Sequence, residues 1–397
     1  MRRSPLVDEV LITGIGVVSP LGHSAGELTR RLAAGERAAS DADGVQIADI
    51  PVGVLPASVR ARIGRLDRIC RLALAAAYLA IDDARLPLPL AAPERVGLSI
   101  GTGLGCLLSD AEFYAKVAAH GAPAASPRVF AYTVSSAAAG EISIALGLHG
   151  PNTVSHMGLA AGAGAIGYAA ALLRLGKADV VLAGGADAHG PALAEALRGM
   201  GLLKHADAAR PFRDAVPGVW PSEGALFAVL ERGESAAARG ARAYARLAGY
   251  AAGFAPDLAG GSADAVGIGA VLRRALDGAG AGAPGLVLAS AHGTPVDAVE
   301  REALRAALGD GATPITAPKA ALGETFGASA ALALGFAAGL LNAPQPFADG
   351  VAIDLAGAPG ALRENPDSAL ISALCYSGSA AALVISASTQ RREDAKL

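Results

Sequence analysis

Between Gly150 and Gly176 the chain reads GPNTVSHMGLAAGAGAIGYAAALLRLG, a spacing that sets one side chain, Leu159, at the start of a helix. Pro151 and Asn152 suit a turn, Thr153 to Ser155 are short and partly β-branched, and Gly158 permits a tight bend. The Ala and Gly run from Ala160 to Ala171 predicts a helix with a small-residue surface, closed by Gly176 as its C-cap. Ala178 to Ala183 then reads as an apolar strand leading into a tight Gly184-Gly185 turn. At such a helix start, backbone N–H groups and the helix dipole stabilise a thiolate or an oxyanion. A leucine side chain can supply neither, so the position best placed for a nucleophile holds none.

Neighbouring residues offer no ready substitute. Ser155 and His156 are adjacent on an extended segment and point to opposite faces, so both read as structural. Gly14-x-Gly16 hints at dinucleotide binding, but Ser19 stands at the third glycine position and Pro20 disturbs the helix start that pyrophosphate needs. That argues against a nicotinamide site. Cys70, Cys106 and Cys375 match no disulfide or metal framework, and a reducing cytoplasm is the simplest setting for them.

Several segments resemble beta-ketoacyl-ACP synthases of the thiolase superfamily, in that family's order along nearly the whole chain. Val10 to Gly22, VLITGIGVVSPLG, resembles the opening strand and loop, and Gly101 to Gly105, GTGLG, the loop after the next buried strand. Arg128 to Pro151 resembles the stretch running into the nucleophile turn, and Ala183 to Ala188, AGGADA, the stretch leaving it. Arg210-Pro211-Phe212 with Glu223-Gly224-Ala225 resembles the family's RPF and EGA pair. Counting forward from Gly150-Pro151 or backward from Gly176-Lys177-Ala178-Asp179 places the family's cysteine at Leu159 both times, without a gap.

The resemblance carries over the remaining catalytic positions. Ala291-His292-Gly293-Thr294 matches the first histidine motif, whose histidine polarises the malonyl thioester carbonyl during decarboxylation. Pro295-Val296-Asp297 follows directly, where the family usually has a second Thr and a Pro before its acidic residue, so a pantetheine-binding hydroxyl is in question. The second histidine lies in a Lys-x-x-x-Gly-His pattern; here Lys319 and Gly323 remain but Glu324 follows. A carboxylate lacks the N–H that imidazole offers and, when ionised, repels an enolate. Leu374-Cys375-Tyr376-Ser377-Gly378-Ser379 stands where the family has its Gly-rich Phe-Gly-Phe-Gly-Gly-Thr loop, with Leu374 in the gatekeeper position and Gly378 retained.

Two of the three Cys/His/His groups are thus replaced, and groups that act as a unit fail together. The pattern is similar to chain-length factors, the inactive partners of ketosynthase heterodimers in type II polyketide systems. Those often carry Gln at the cysteine position, from which Leu159 departs; the shortish N-terminal half and the altered Leu374 loop are more similar to chain-length factors of highly reducing, polyene-forming systems such as those making aryl polyenes. The resemblance implies an active ketosynthase and an acyl carrier protein as partners, the acyl-phosphopantetheine of the carrier being the partner's substrate, and no cofactor or metal of its own. It also sets Phe130, Tyr132 and Val134 at the dimer interface. Read as alternating along an extended segment, one face of the three would close the acyl tunnel by steric limit. Two other readings stand beside this one: an acyl-transfer enzyme that uses Cys375 as a substitute nucleophile, and a purely structural homodimer.

A chain of 397 residues with 52% hydrophobic and 17% charged residues has enough apolar material for two large α/β units. A net charge of −3 gives no reason to expect nucleic acid or an anionic membrane as partner. Arg2-Arg3 has no apolar run behind it and does not read as a signal peptide. The apolar runs Ala160 to Leu175 and Ala328 to Leu341 are short for a membrane span and read as buried helices. Expected strands lie at Val10 to Thr13, Val96 to Ile100 and Val180 to Ala183, then at Leu286 to Ser290, Ala369 to Ala373 and Ala382 to Ser386. With Glu231 to Ala241 as a boundary region, the halves are 1–244 and 245–397. The resemblance implies the thiolase-like fold: two pseudo-symmetric α/β halves in a five-layered αβαβα arrangement.

Overall fold

The computed structural model describes residues 9–39, 47–204, 210–213, 215–256, 264–311, 313–355, 357–358, 360 and 366–388; the Arg2-Arg3 start lies outside them. Twelve strands occur among the described residues: β1 (Val10–Ser19), β2 (Gly22–Ser24), β3 (Val96–Gly101), β4 (Asn152–Ser155), β5 (Val180–Asp187), β6 (Gly224–Arg232), β7 (Ala245–Phe254), β8 (Leu286–Leu288), β9 (Ile315–Thr316), β10 (Ala352–Ile353), β11 (Ser368–Leu374) and β12 (Ser379–Ser386). Their order is β10-β9-β8-β11-β12-β7-β1-β6-β5-β3-β4, with β2 on β1. Only the pairs Leu11–Arg246 and Ile12–Ala245 join β1 to β7, so two sheets meet at a short seam.

Alternation along the strands divides the apolar side chains among three cores. In β6, Ala225, Phe227 and Val229 face a core shared with the Arg68–Asp83 and Ala137–Leu146 helices. Leu226, Ala228 and Leu230 face the opposite way, into a central core. In β12, Ala381, Leu383 and Ile385 enter that same central core, whereas Ala380, Ala382 and Val384 pack with the Ala265–Ala279 and Val296–Leu308 helices. The Ala161–Arg174 and Ser329–Asn342 helices fill the space between the sheets. The result is helix, sheet, helix, sheet, helix, the five-layered thiolase-like arrangement. A helix sandwiched between sheets must be apolar wherever it is covered, which explains the Ala and Gly content of both central helices, although Tyr168, Ala171 and Arg174 form an exposed stripe on the first.

Small residues here set the spacing. A Cβ added at Gly162 would lie 2.6 Å from the Gly327 carbonyl oxygen, so the two central segments touch backbone to backbone. Gly184 and Gly185, expected as a turn, instead lie inside β5, paired with Phe227 and Leu226. A Cβ at Gly184 would fall 1.8 Å from the Leu226 oxygen, so these glycines serve close approach rather than chain reversal. Gly14 and Gly16 likewise sit in β1 beneath the Arg68–Asp83 helix, where added Cβ atoms would meet the carbonyls of Ala80 and Ala76.

The Glu231 to Ala241 stretch holds the end of β6 and the Gly233–Ala238 helix, and Glu231 is fully buried and ion-paired with Arg239. The Phe130 to Val134 segment is not extended: Phe130 ends the Pro127–Phe130 helix and turns follow. Pro127 and the Ser126 cap, whose side chain accepts from Val129 N, favour that helix over a strand. Phe130 and Val134 are exposed, while Tyr132 is half-buried and donates to Glu141 Oε1 at 2.9 Å. No described helix is long and apolar enough to cross a membrane.

Candidate active site

Leu159 sits in the single turn Gly158–Ala160 that opens the Ala161–Arg174 helix, as its spacing predicts. Gly158 has φ +55, the left-handed conformation that lets the chain bend out of the strand region into the helix. Gly176 closes the helix at φ +66, its N–H donating to Leu173 O. The Leu159 side chain is buried with Phe326 and Cys375, and Leu104, Leu193, Val219 and Tyr376 close around them. The helix start that favours an anion is therefore sealed by hydrocarbon.

Cys375 lies directly over the turn: a Cβ added at Gly158 would come within 2.3 Å of its Sγ. That sulfur accepts from Ser377 Oγ at 3.1 Å, and Cys375 N donates to Ser379 O at 2.8 Å. Leu374, by contrast, is the last residue of β11, and its side chain packs in the outer core with the Ala265–Ala279 layer. Gly378 has φ +99 and presses against Ala255 O, where no side chain would fit. Ser155 and His156 share no hydrogen bond among the described residues, and His156 is exposed.

Across the pocket the side chains are polar. Lys319 donates to Glu324 Oε2 at 2.7 Å and to Ser290 Oγ at 3.2 Å. The other Glu324 oxygen accepts from Phe326 N at 2.9 Å and Ser329 Oγ at 2.6 Å. Glu324 is 1% exposed. Burial alone would raise its carboxyl, but Lys319 and His292 outweigh that and hold it below the usual value. Glu324 is thus an ionised partner of Lys319 rather than an isolated charge facing the pocket. Each is hydrogen-bonded to more than one neighbour, as a buried pair requires.

His292 is 6% exposed. Burial, reinforced by the Lys319 charge, lowers its imidazole to about 4. Its Nε2 is hydrogen-bonded to the Tyr376 hydroxyl and its Nδ1 lies 3.4 Å from Ser290 O. Asp297 holds the loop that carries it, accepting from the N–H groups of His292 (3.1 Å), Gly293 (2.8 Å) and Thr294 (3.2 Å). Asp297 also accepts from Phe212 N at 2.8 Å, tying the Arg210-Pro211-Phe212 segment to the histidine loop.

Three organising residues escaped the sequence reading. Asp187, at the end of β5, accepts from Thr102 Oγ1 (2.5 Å) and from the N–H groups of Gly103 (2.7 Å), Leu104 (3.1 Å) and Gly327 (2.6 Å). Burial pushes its carboxyl up to about 6 despite those donors. It thereby fastens the GTGLG loop to the loop after Glu324, on both sides of Leu159. Asp297 and Tyr376 are the others. The available signal was a lone acid closing an apolar strand, AGGADA, and an acid beside a histidine motif.

Family models agree with this geometry. Residues 56–236 match the beta-ketoacyl synthase N-terminal domain, and residues 244–343 match the beta-ketoacyl synthase C-terminal domain. The chain is 32% identical over 352 residues to a putative polyketide beta-ketoacyl synthase 1 of Streptomyces virginiae, covering 80% of this chain and 82% of that protein. It is 32% identical over 366 residues to a 3-oxoacyl-[acyl-carrier-protein] synthase 2 of Rhizobium meliloti (strain 1021), covering 83% and 85%. Among solved structures, the ishigamide ketosynthase/chain length factor superposes with a TM-score of 0.81 at 26% identity, over 96% of this chain and 99% of that one. Motifs, layers and site geometry converge, and the chain belongs to the beta-ketoacyl synthase family.

Proposed function

We propose that this chain is the non-condensing member of a ketosynthase pair, a chain-length factor that shapes the acyl tunnel while an active partner performs the elongation. The observation that carries this reading is the sealed nucleophile turn. Leu159 is packed under Phe326 and Cys375 in an otherwise intact fold, and Glu324 is engaged by Lys319 where the family has a histidine. With neither a cysteine at position 159 nor an imidazole at position 324, the family's positions supply no thiolate to accept an acyl unit and no second N–H to stabilise the enolate. Likeness to a structure described as a ketosynthase/chain length factor supports the same role.

The partner surface is proposed beside β4. This edge strand pairs with β3 on one side only among the described residues, which leaves backbone donors and acceptors free for another chain. The Ala137–Leu146 helix flanks it, joined by Asn152 Nδ2 to Ser143 Oγ at 2.9 Å, and exposes Ile144. Phe130 and Val134 are exposed as well, with the Phe130 ring tilted against Phe113, centroids 5.6 Å apart. An active ketosynthase fits this surface. The substrate is then the acyl-phosphopantetheine of an acyl carrier protein, delivered to the partner, in a cytoplasmic pathway of the aryl-polyene kind.

Co-expression with a candidate ketosynthase, size-exclusion chromatography and a malonyl-carrier elongation assay test this. The expected result is 1:1 co-elution, elongation by the pair alone, and longer products from Phe130→Ala or Tyr132→Ala. Turnover by this chain alone, abolished by Cys375→Ala, overturns it in favour of a substitute nucleophile. A stable self-dimer that ignores the ketosynthase overturns it in favour of a structural role.

A further inference from the structure

His292 is the one retained member of the family's Cys/His/His set, and the groups around it decide whether it can act. A neutral imidazole has one N–H and one lone pair. Nδ1 lies 3.4 Å from the Ser290 carbonyl oxygen, which can only accept, so a hydrogen bond there requires the proton on Nδ1. With that tautomer Nε2 presents its lone pair toward the Tyr376 hydroxyl, to which it is hydrogen-bonded. The two rings meet edge-on, centroids 5.8 Å apart at 69°. Tyr376 is delivered there by a tight turn in which Gly378 N donates to Cys375 O and Cys375 N to Ser379 O, both at 2.8 Å.

Of the charged neighbours only Lys319 favours the neutral ring; Glu324 and Asp297 favour a charged one, but both are engaged elsewhere. Lys319 opposes a second positive charge on the ring, while Glu324 is already taken up by Lys319. Asp297 spends its oxygens on the backbone of residues 292–294 and 212. Burial pushes the Tyr376 hydroxyl far above the usual phenol range, so it stays a donor.

We propose that Tyr376 is a positioning residue that silences His292: by donating its O–H to Nε2 it fixes the Nδ1–H tautomer and occupies that nitrogen. Polarising a thioester carbonyl requires an N–H aimed at it, and here that nitrogen holds a lone pair engaged by tyrosine. No bond forms or breaks, and the phenol and imidazole keep their protons. The inference rests on reading His292 as the retained family group, but it needs no partner and is testable on this chain alone.

The test is ¹⁵N NMR of the full chain carrying labelled histidine, with His292→Gln assigning the signal among the seven histidines. The wild-type chain is expected to show Nδ1–H, bare Nε2 and titration near pH 4. In Tyr376→Phe, loss of the donor that stabilises the neutral ring should populate Nε2–H and raise the titration by about one pH unit. A proton on Nε2 in the wild-type chain, or a variant with unchanged tautomer and titration, overturns the proposal. Should the variant fail to fold, the wild-type tautomer still decides. Failure of the heterodimer reading would appear only in the elongation assay, with the tautomer untouched.

Discussion

The two walls around Leu159 and Lys319 are built by different means. Around Leu159 the lining is hydrocarbon: Leu159, Phe326 and Cys375 pack over a helix start that would otherwise favour an anion. Around Lys319 it is a buried ion pair, Glu324 satisfying the ammonium and accepting from Ser329 and Phe326 N. Apolar packing is forgiving of shape and indifferent to pH. A buried pair is intolerant of losing either member, because the survivor is left charged without a partner. The same backbone therefore holds a tolerant wall and a brittle one.

Lys319→Met breaks the comparison most severely. It leaves Glu324 uncompensated at 1% exposure, and the expected loss is about 3–5 kcal/mol in urea unfolding. A loss no greater than that of Leu159→Met would show that the two walls are equally tolerant.

Asp187, which fastens loops on both sides of Leu159, gives a pH signature. Its folded value of about 6 lies above its ordinary 3.8, so the folded state holds the proton more tightly. The resulting stabilisation is fully present below pH 3.8 and is lost as pH rises through about 6. Against Asp187→Asn, which does not titrate, the wild-type advantage should shrink by about 3 kcal/mol on going from acid to neutral pH. His292 titrates in the opposite sense, lowered to about 4, but it is common to both proteins and cancels in the difference. Parallel stability curves would remove Asp187 as a buried titrating clamp.

Leu159→Met sharpens the tolerant side. The swap nearly conserves volume within an apolar cluster, so a cost below about 1.5 kcal/mol is expected in thermal unfolding. A larger loss would mean that Leu159 is shaped to its site as strictly as the ion pair.

Much of the fold was legible because its rules are local. The apolar runs Ala160 to Leu175 and Ala328 to Leu341 announced largely buried helices, and the expected strands Val96 to Ile100 and Ala369 to Ala373 lie within β3 and β11. What failed depended on distant neighbours. Gly184-Gly185 has the composition of a turn, but the oxygen that excludes a side chain there belongs to Leu226, on another strand. Phe130, Tyr132 and Val134 have strand-like spacing, but Ser126 and Pro127 start a helix that breaks the alternation.

The sequence by itself determined which atoms are present: no thiol at position 159, a carboxylate at 324, an imidazole at 292. The tertiary structure decided what those atoms face. Lys319 meets Glu324 after a short turn, but His292 meets Tyr376 from 84 residues away and Asp187 reaches Gly327 across 140. Covalent identity is fixed residue by residue, whereas protonation and hydrogen bonding are set by whichever groups packing brings within about 3 Å. Those groups lie far apart along the chain, so only the folded layers could assign them.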